Sequence, residues 1–404
     1  MKLMILTAQI SPYHNARYVG VTRHFAETHI ASSVNAGDFP EFLADSLGDY
    51  AIHKLFNGKD GYASAVRTGE LVSQITGLCA TLQPDAIAVA GWIAPESLAA
   101  LKYGRENGVP TIVMSESQVD DAPRPLLREA IKKRLVSQFD AALVGGPSHA
   151  HYVATLGIPS DRIHLGYNAV DNAYFEGRAT LARANSDKLR GEHGLPERYI
   201  LASARFIRKK NLTNLVVAYA DARQKMKMPP DLVILGDGPE HSEIQKAIHR
   251  SGVADCVHMP GFRGYDVLPA YYALAEGFLH VSTFEQWGLV INEAMASRVP
   301  VIASHTCGAA RTVISDGVNG LLTDVDVSAI SNAILRLFEM PQESRDAMAL
   351  AGMFAIQEWG PERFGSGMRA AVRSAAEAPR RGPIAPWDRA LLSYLQNKTI
   401  ETVS

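Results

Sequence analysis

The first half of the chain alternates short apolar runs with longer segments in which apolar residues recur at the helical period. The apolar runs predict strands at 3–8, 85–90, 111–115, 141–145 and 162–167. The segments between them predict helices at 62–82, 94–106 and 125–137. Buried strands that alternate with helices are typical of βα units around a parallel sheet. We therefore expect an α/β, Rossmann-like domain over residues 1–171.

A polar stretch with weak periodicity occupies 172–198, and the alternating pattern then begins again. It predicts further strands at 199–204, 232–235, 256–259, 277–282 and 300–303, and helices at 211–224, 241–251, 265–275, 289–297, 361–376 and 387–397. We interpret 172–198 as a linker, 199–376 as a second domain, and 377–404 as a tail helix that crosses back to the first domain. Two such parallel-sheet domains are expected to face a central cleft, because ligands bind at the carboxyl ends of the strands.

Composition narrows the function classes. The 404 residues suffice for two domains of about 200 residues, each with its own core. Lys and Arg number 40 against 42 Asp and Glu, so the formal net charge of −2 argues against a nucleic-acid partner. The three dispersed cysteines fit neither a disulfide framework nor a zinc site. No apolar run reaches the ~18 residues of a membrane span, so we expect a cytoplasmic protein, at most peripheral to the inner face of the membrane.

The segment 277–304 carries the most informative chemistry. A predicted strand ends in a loop with Glu285, Gly288 allows close approach of a ligand, and a helix begins near Leu289 with Glu293 in its early turns. Free N–H groups at a helix start bind anions, and the helix dipole adds about half a positive charge there. The loop therefore suits a phosphorylated ligand, with two carboxylates available for sugar hydroxyls. Such a pair is also typical of a solvated loop residue and a dipole-complementing helix residue.

A second group of charges follows the first strand of the second domain. Arg205, Arg208, Lys209 and Lys210 lie within six residues of one another, just before a predicted helix. A guanidinium offers a fork for phosphate oxygens and an ammonium a point charge. Such a run is also typical of a solvated face.

Three other polar loops end predicted strands. Gly261, Phe262 and Arg263 follow the strand at 256–259, where Gly261 permits close approach and Phe262 could flank a planar base. In the first domain, the polar loop 11–17 supplies His14 and Asn15, and Glu116 follows the strand at 111–115. We interpret His14, Asn15 and Glu116 as candidate acceptor contacts. The simpler interpretation of His14 is an ordinary surface histidine.

One predicted helix has a mixed basic and apolar surface. The segment combines five cations with three large apolar residues: Arg124, Arg128, Lys132, Lys133 and Arg134 with Leu126, Leu127 and Ile131. A basic amphipathic helix can lie on an anionic membrane, which makes Arg124–Arg134 a candidate for peripheral membrane contact. The alternative is a helix that packs its apolar side onto the sheet, as every βα unit requires.

Taken in order, the motifs of the second domain resemble those of the retaining GT-B glycosyltransferases of family 4. The motifs that carry the resemblance are Arg205-x4-Lys210, Leu235-Gly-Asp-Gly-Pro239, Pro260-Gly-Phe-Arg263, Glu285-x7-Glu293, Pro300-Val-Ile-Ala-Ser304 and Asp316-Gly-Val-Asn-Gly320. The resemblance implies two Rossmann-like domains, with a nucleoside-diphosphate sugar on the second and the acceptor on the first. It implies a metal-independent hexosyltransferase, without a cofactor, that takes a UDP- or GDP-sugar and serves polysaccharide or glycoconjugate biosynthesis.

The resemblance also assigns roles to residues. Arg205 and Lys210 would grip the diphosphate, Glu285 the donor sugar, and Glu293 the ribose hydroxyls. The backbone of Gln286, Trp287, Gly288 and Leu289 would contact the sugar and the β-phosphate. Gly261, Phe262 and Arg263 would face the base. The acceptor would be a carbohydrate or a lipid-linked glycan.

The chain departs from the family pattern at several positions. Asn15-Ala16 stands where a Gly-Gly pair is common, and Glu116 lies near a position that often holds histidine. Asn211 and Arg298 stand where glycine is frequent; asparagine tolerates a positive φ, whereas arginine there costs about 1 kcal/mol.

Two other function classes compete with the transferase. One is a nucleotide-sugar epimerase on the same scaffold, and the other is a non-catalytic two-domain sugar-binding protein. The Glu285-x7-Glu293 loop together with Arg205 and Lys210 favours the transferase over both.

Overall fold

The structure is a computed structural model that describes residues 1–34, 48–121, 124–379 and 381–398. The chain divides into two compact units, 1–169 with 361–404 and 170–360. Each unit is a parallel sheet with helices on both faces. The predicted end of the tail, 399–404, lies outside the described residues.

In its described part, the first unit holds a seven-stranded parallel sheet in the order β3-β2-β1-β4-β5-β6-β7. Its strands are β1 Lys2–Thr7, β2 Glu27–Val34, β3 Ala51–Phe56, β4 Ala86–Ala90, β5 Thr111–Ser115, β6 Ala141–Val144 and β7 Ile163–Leu165. Its helices are α1 Pro12–Thr22, α2 Gly58–Thr68, α3 Glu70–Leu82, α4 Pro95–Asn107, α5 Leu126–Val136, α6 Pro147–Thr155, α16 Pro361–Glu377 and α17 Pro386–Leu395.

In its described part, the second unit holds a six-stranded parallel sheet in the order β10-β9-β8-β11-β12-β13. Its strands are β8 Tyr199–Ser203, β9 Asp231–Leu235, β10 Val257–Gly261, β11 Gly277–His280, β12 Val301–Ser304 and β13 Leu321–Thr323. Its helices are α7 Asn172–Ala184, α8 Ser186–His193, α9 Leu212–Lys225, α10 His241–Arg250, α11 Leu268–Ala273, α12 Leu289–Ala296, α13 Gly308–Val313, α14 Val327–Glu339 and α15 Gln342–Gln357.

The domain boundaries differ from the sequence-based ones. The stretch 172–198, interpreted as a linker, forms α7 and α8, and Phe175 of α7 is fully buried in the core of the second unit. The helix predicted at 361–376 is α16, which buries Phe364 and Met368 on the first sheet instead of joining the second domain. Its amphipathic pattern predicts a helix but does not specify the core on which the helix packs.

The two residues that replace frequent glycines do adopt the left-handed backbone. Asn211 has φ 59° and Arg298 has φ 55°. Asn211 also donates from its side-chain amide to the carbonyl oxygen of Val325 at 2.8 Å. This contact supports the conformation of Asn211 immediately before α9.

Candidate functional site

The site of the second unit lies where its strand order reverses. β8 is bonded to β9 on one side and to β11 on the other, so the loops after β8 and β11 diverge from adjacent strands at the carboxyl edge. Open parallel sheets bind ligands at this topological switch point. The loop after β8 contains Arg205 and Lys210, and the loop after β11 contains Glu285.

The two loops are joined by an ion pair at the switch point. The ammonium of Lys210 donates to the carboxylate of Glu285, and both side chains are largely buried. The backbone N–H of Thr283 also donates to the carbonyl oxygen of Lys209 at 2.7 Å. The structure thus brings together two predicted site residues that are 75 positions apart.

His280 completes this cluster, although no motif in the sequence identifies it. It is the last residue of β11, and its Nε2 lies 3.7 Å from the Glu285 carboxylate. Burial lowers the pKa of His280, which keeps the imidazole neutral near pH 7. Burial alone would raise the pKa of Glu285, but His280 and Lys210 hold it well below its ordinary value. The available signal in the sequence was a histidine within an apolar predicted strand, five residues before Glu285.

A glycine-containing turn after β9 forms backbone hydrogen bonds with the loop after β8, the cationic loop that contains Arg205 and Lys210. The backbone N–H of Phe206 donates to the carbonyl oxygen of Asp237 at 2.8 Å, and that of Ala204 donates to Leu235 at 3.0 Å. Gly236 has φ 131°, and a Cβ there would lie 1.9 Å from the carbonyl oxygen of Ala204. Only glycine fits this close approach, so the turn at 236–239 positions the loop after β8.

The start of α12 faces the same loop. Gly288 has φ 98°, and a Cβ there would lie 3.3 Å from His280 Nε2 and 3.4 Å from Glu285 Cγ. The N-cap position of α12 is Gly288, which has no side chain with which to cap the first turn. The backbone N–H groups of Gly308 and Ala309 donate to the carbonyls of Glu285 and Trp287, which fixes the loop. The arrangement offers a helix dipole and backbone donors to an anion.

Glu293 and Trp287 point into the protein. Glu293 is fully buried on α12, and the hydroxyl of Tyr272 donates to its Oε2 at 2.7 Å. The Trp287 side chain is buried, and its Nε1 donates to Asn292 Oδ1 at 3.0 Å. Trp287 therefore presents only its backbone to the loop, and Gln286, Gly288 and Leu289 are half-buried beside it.

The remaining predicted residues of this unit line its carboxyl edge. Arg205 is exposed at the start of the cationic loop. Gly261 ends β10 with φ 86°, and its carbonyl oxygen accepts from the N–H of Gly236 at 3.1 Å. Phe262 is exposed, whereas the guanidinium of Arg263 donates from Nε to the hydroxyl of Tyr271 at 2.8 Å.

The acceptor candidates of the first unit lie on different elements. The segment 11–17 was predicted to be a loop, but α1 begins at Pro12, so His14 and Asn15 lie in its first turn. Ser11 Oγ and His14 Nδ1 are 2.7 Å apart, and the hydroxyl of Tyr50 donates to Asn15 Oδ1 at 2.6 Å. Pro12 at the first helical position permits this early start. Glu116 lies just beyond β5.

His14 makes a testable contribution to acid sensitivity. Burial and the nearby Arg17 lower the pKa of His14 to about 3. The unfolded chain, with an ordinary histidine pKa of about 6.5, binds more protons below that pH, so stability falls as the pH drops from about 6.5 toward 3. Urea unfolding at a series of pH values should show that His14→Gln removes uptake of about one proton from this dependence. An unchanged slope in this variant would show that His14 titrates normally in the folded protein.

The second unit matches a known family. Residues 185–352 match the family described as "Glycosyl transferases group 1". The chain is 31% identical over 195 residues to the alpha-D-kanosaminyltransferase of Streptomyces kanamyceticus, covering 48% of this chain and 49% of that protein. It is 32% identical over 236 residues to the alpha-monoglucosyldiacylglycerol synthase of Streptococcus pneumoniae, covering 56% and 53%. The matched stretch thus spans about half the length of each relative.

Solved structures share the fold over almost the whole chain. Anabaena HepE in complex with UDP and glucose superposes with a TM-score of 0.72 at 18% identity, covering 91% of this chain and 98% of that one. Sucrose-phosphate synthase from Thermosynechococcus elongatus gives 0.68 at 19% identity, covering 91% and 97%. These likenesses confirm the predicted GT-B fold of two Rossmann-like domains.

Proposed function

We propose that this chain transfers a sugar from a nucleoside-diphosphate sugar to a carbohydrate or lipid-linked acceptor, and the match of residues 185–352 to the group 1 glycosyl transferases supports this proposal. The observation that carries the proposal is the Lys210–Glu285 ion pair, which lies at the switch point beside the start of α12. It places a cation for a diphosphate next to a carboxylate for sugar hydroxyls. The match of residues 185–352 to the group 1 glycosyl transferases favours transfer over epimerisation or binding alone.

In the proposed chemistry the anomeric C–O bond of the donor breaks and its electron pair moves onto the diphosphate. The acceptor hydroxyl oxygen forms the new bond to the anomeric carbon, and its proton passes to a phosphate oxygen of the departing diphosphate. Lys210 would exchange part of its contact with Glu285 for a phosphate oxygen, and exposed Arg205 would close on the same group. Donors that are already in place stabilise charge that develops in the transition state. With the N–H groups of α12, these cations supply the charge that a metal ion would otherwise provide, and we propose metal-independent transfer with retention of configuration.

The donor would lie along the carboxyl edge of the second sheet. Glu285 and the backbone of Gln286, Trp287, Gly288 and Leu289 would hold the sugar and the β-phosphate. The backbone around Gly261, Phe262 and Arg263 would face the base. Glu293 is buried in this structure. Its proposed contact with the ribose therefore requires that the residues packed over its carboxylate move when the donor binds.

We place the acceptor on the first unit, near His14, Asn15 and Glu116. The names of two relatives support a lipid-linked acceptor: alpha-monoglucosyldiacylglycerol synthase and a GDP-mannose-dependent phosphatidylinositol monomannoside mannosyltransferase of Mycobacterium tuberculosis, 32% identical over 180 residues, or 43% of this chain and 45% of that protein. A role in polysaccharide or glycoconjugate synthesis in the cytoplasm follows from the same proposal. Within the described residues, no helix is both long and apolar enough to cross a bilayer.

Donor binding can be tested by thermal unfolding. A ligand that binds only the folded state raises the melting temperature, and at 100 times its Kd it adds about 2.7 kcal/mol. We expect a UDP- or GDP-sugar from a broad panel to raise the melting temperature of the full chain, with free UDP or GDP giving part of the shift. The free sugar serves as the control and should give none. A panel without any shift, at concentrations up to the millimolar range, would overturn the donor assignment.

A further inference from the structure

Helix α5 turns its apolar side away from the protein. Leu126 is 89% exposed, Leu127 is 74% exposed and Ile131 is 38% exposed, whereas Leu135 and Val136 are buried. At the helical period, Leu126, Leu127 and Ile131 share one side of α5. The expectation that this apolar side packs onto the sheet is therefore wrong.

Four of the five cations at 124–134 fall into two groups. Arg124 and Lys132 point inward, where both contact Glu129 and Tyr152. Arg128 and Lys133 are exposed at the two borders of the apolar side, and neither makes an ion pair within the described chain. The only carboxylate on α5, Glu129, is on the inner side with the paired cations.

Helix α17 adds an aromatic side chain to this surface. Arg134 in the last turn of α5 pairs with Asp388, so the start of α17 lies against α5. The preceding residue, Trp387, is 80% exposed. Tryptophan is enriched at the interface of membranes, where its ring lies at headgroup level. The outer side of α5 and the start of α17 thus combine exposed apolar, aromatic and unpaired basic residues.

We propose that this surface binds an anionic lipid bilayer. We call it the docking face, and define it by Leu126, Leu127, Ile131, Arg128, Lys133 and Trp387. Exposed leucines with basic residues at their borders match a bilayer surface, which offers apolar chains below negative headgroups. The complementarity favours a membrane over a second copy of this chain, because two copies of the face would oppose like charges.

The position of the docking face has a consequence for the acceptor. α5 follows β5, so its first turn, with Leu126 and Leu127, lies toward the carboxyl edge of the first sheet. Glu116 leaves β5 at that edge. Docking would therefore hold the bilayer surface near the acceptor side of the first unit. This consequence rests on the proposed function, and it specifies a lipid-linked acceptor.

The docking face can be tested by sedimenting the full chain with vesicles. We expect binding to vesicles that contain phosphatidylglycerol, weaker binding at high salt, and little binding to pure phosphatidylcholine. Leu126→Ser/Leu127→Ser should lower the partition coefficient at least about tenfold. Arg128→Gln/Lys133→Gln should lower it about 25-fold, since each basic residue near an anionic surface contributes about fivefold. The matched control is Leu181→Ser/Arg250→Gln on the second unit, where both residues are also exposed, and it should bind normally.

The outcomes separate this proposal from the others. Absence of binding at low salt, or binding that survives both variants, would overturn it. A dimer in sedimentation velocity that Leu126→Ser/Leu127→Ser dissociates, without any vesicle binding, would overturn it in favour of self-association. The thermal shift with nucleotide sugars should be unchanged in all docking-face variants, so failure of the docking face leaves the donor assignment intact.

Discussion

Lys210→Ala is expected to lower kcat for sugar transfer or donor hydrolysis about 100- to 1,000-fold, as removal of one preorganised transition-state donor does elsewhere. The negative charge on the departing diphosphate grows as the C–O bond breaks, so a cation at the switch point stabilises the transition state more than the bound donor. We therefore expect a smaller change in KM than in kcat. Steady-state kinetics with the donor that gives the largest thermal shift measures both.

Two further variants keep this prediction interpretable. Arg208→Ala removes an exposed cation from the same short turn and should retain most of the turnover. Lys210→Ala leaves the Glu285 carboxylate without its ion-pair partner, which is expected to lower stability. The double variant Lys210→Ala/Glu285→Gln should recover stability but not turnover. If Lys210→Ala keeps normal turnover, or if Arg208→Ala loses as much, Lys210 does not stabilise the leaving group.

The second large effect is expected at Glu293. Glu293→Ala should raise the Kd for the nucleotide by about 10- to 100-fold, because hydrogen bonds to a charged group contribute about 1.5–3 kcal/mol. Titration calorimetry with UDP and GDP measures this directly. The loss should appear in binding of the nucleotide alone, since the proposed partner of the carboxylate is the ribose.

Glu293 is also buried against Tyr272, so the effect of a substitution on protein stability must be separated from its effect on nucleotide binding. Glu293→Gln preserves the shape and an acceptor for the Tyr272 hydroxyl, and we expect an intermediate rise in Kd with little change in melting temperature. Tyr272→Phe removes the hydroxyl that donates to Glu293 and should change the Kd less than either substitution of the carboxylate. A folded Glu293→Gln protein with unchanged nucleotide affinity would identify Glu293 as a structural residue.

Much of the fold could be predicted because most strands of parallel sheets are buried on both faces. Nearly uninterrupted apolar runs such as those of β5, β6, β9 and β12 stand out from their polar flanks. β2 and β3 escaped prediction because they mix polar and apolar residues toward the edge of the first sheet. In α7, most of the buried positions are small, so the helical period is weak.

Packing partners were harder to predict than elements. α16 has a clear amphipathic pattern, yet only the folded chain shows that its apolar side covers the first sheet. For α5, the sequence left open whether Leu126, Leu127 and Ile131 face inward or outward. In the structure they face outward, and the inner side is built from Leu135, Val136 and an ion-paired polar network. A hydrophobic period identifies a face but not the side of the protein on which it lies.

In the candidate site too, the sequence predicted the motifs but not the contacts between them. The motifs containing Lys210 and Glu285 are visible along the chain, but only the strand order places β8 beside β11 and so joins them. His280 carries no motif, and its contact with Glu285 depends on how the loop after β11 folds back onto the end of that strand. The burial of Glu293 depends on tyrosines of other segments and could not be inferred from the spacing of two glutamates.

The central claim is that the switch point of the second unit activates a nucleoside-diphosphate sugar, and mass spectrometry of a donor panel tests it most directly. Wild-type protein is incubated with UDP- and GDP-sugars, with and without lipid and carbohydrate acceptors, and the products are weighed. We expect at least one donor to release free nucleoside diphosphate with transfer or hydrolysis of its sugar, and we expect Lys210→Ala to suppress this release. Folded wild-type protein that leaves every donor intact, or equal release by Lys210→Ala, would contradict it.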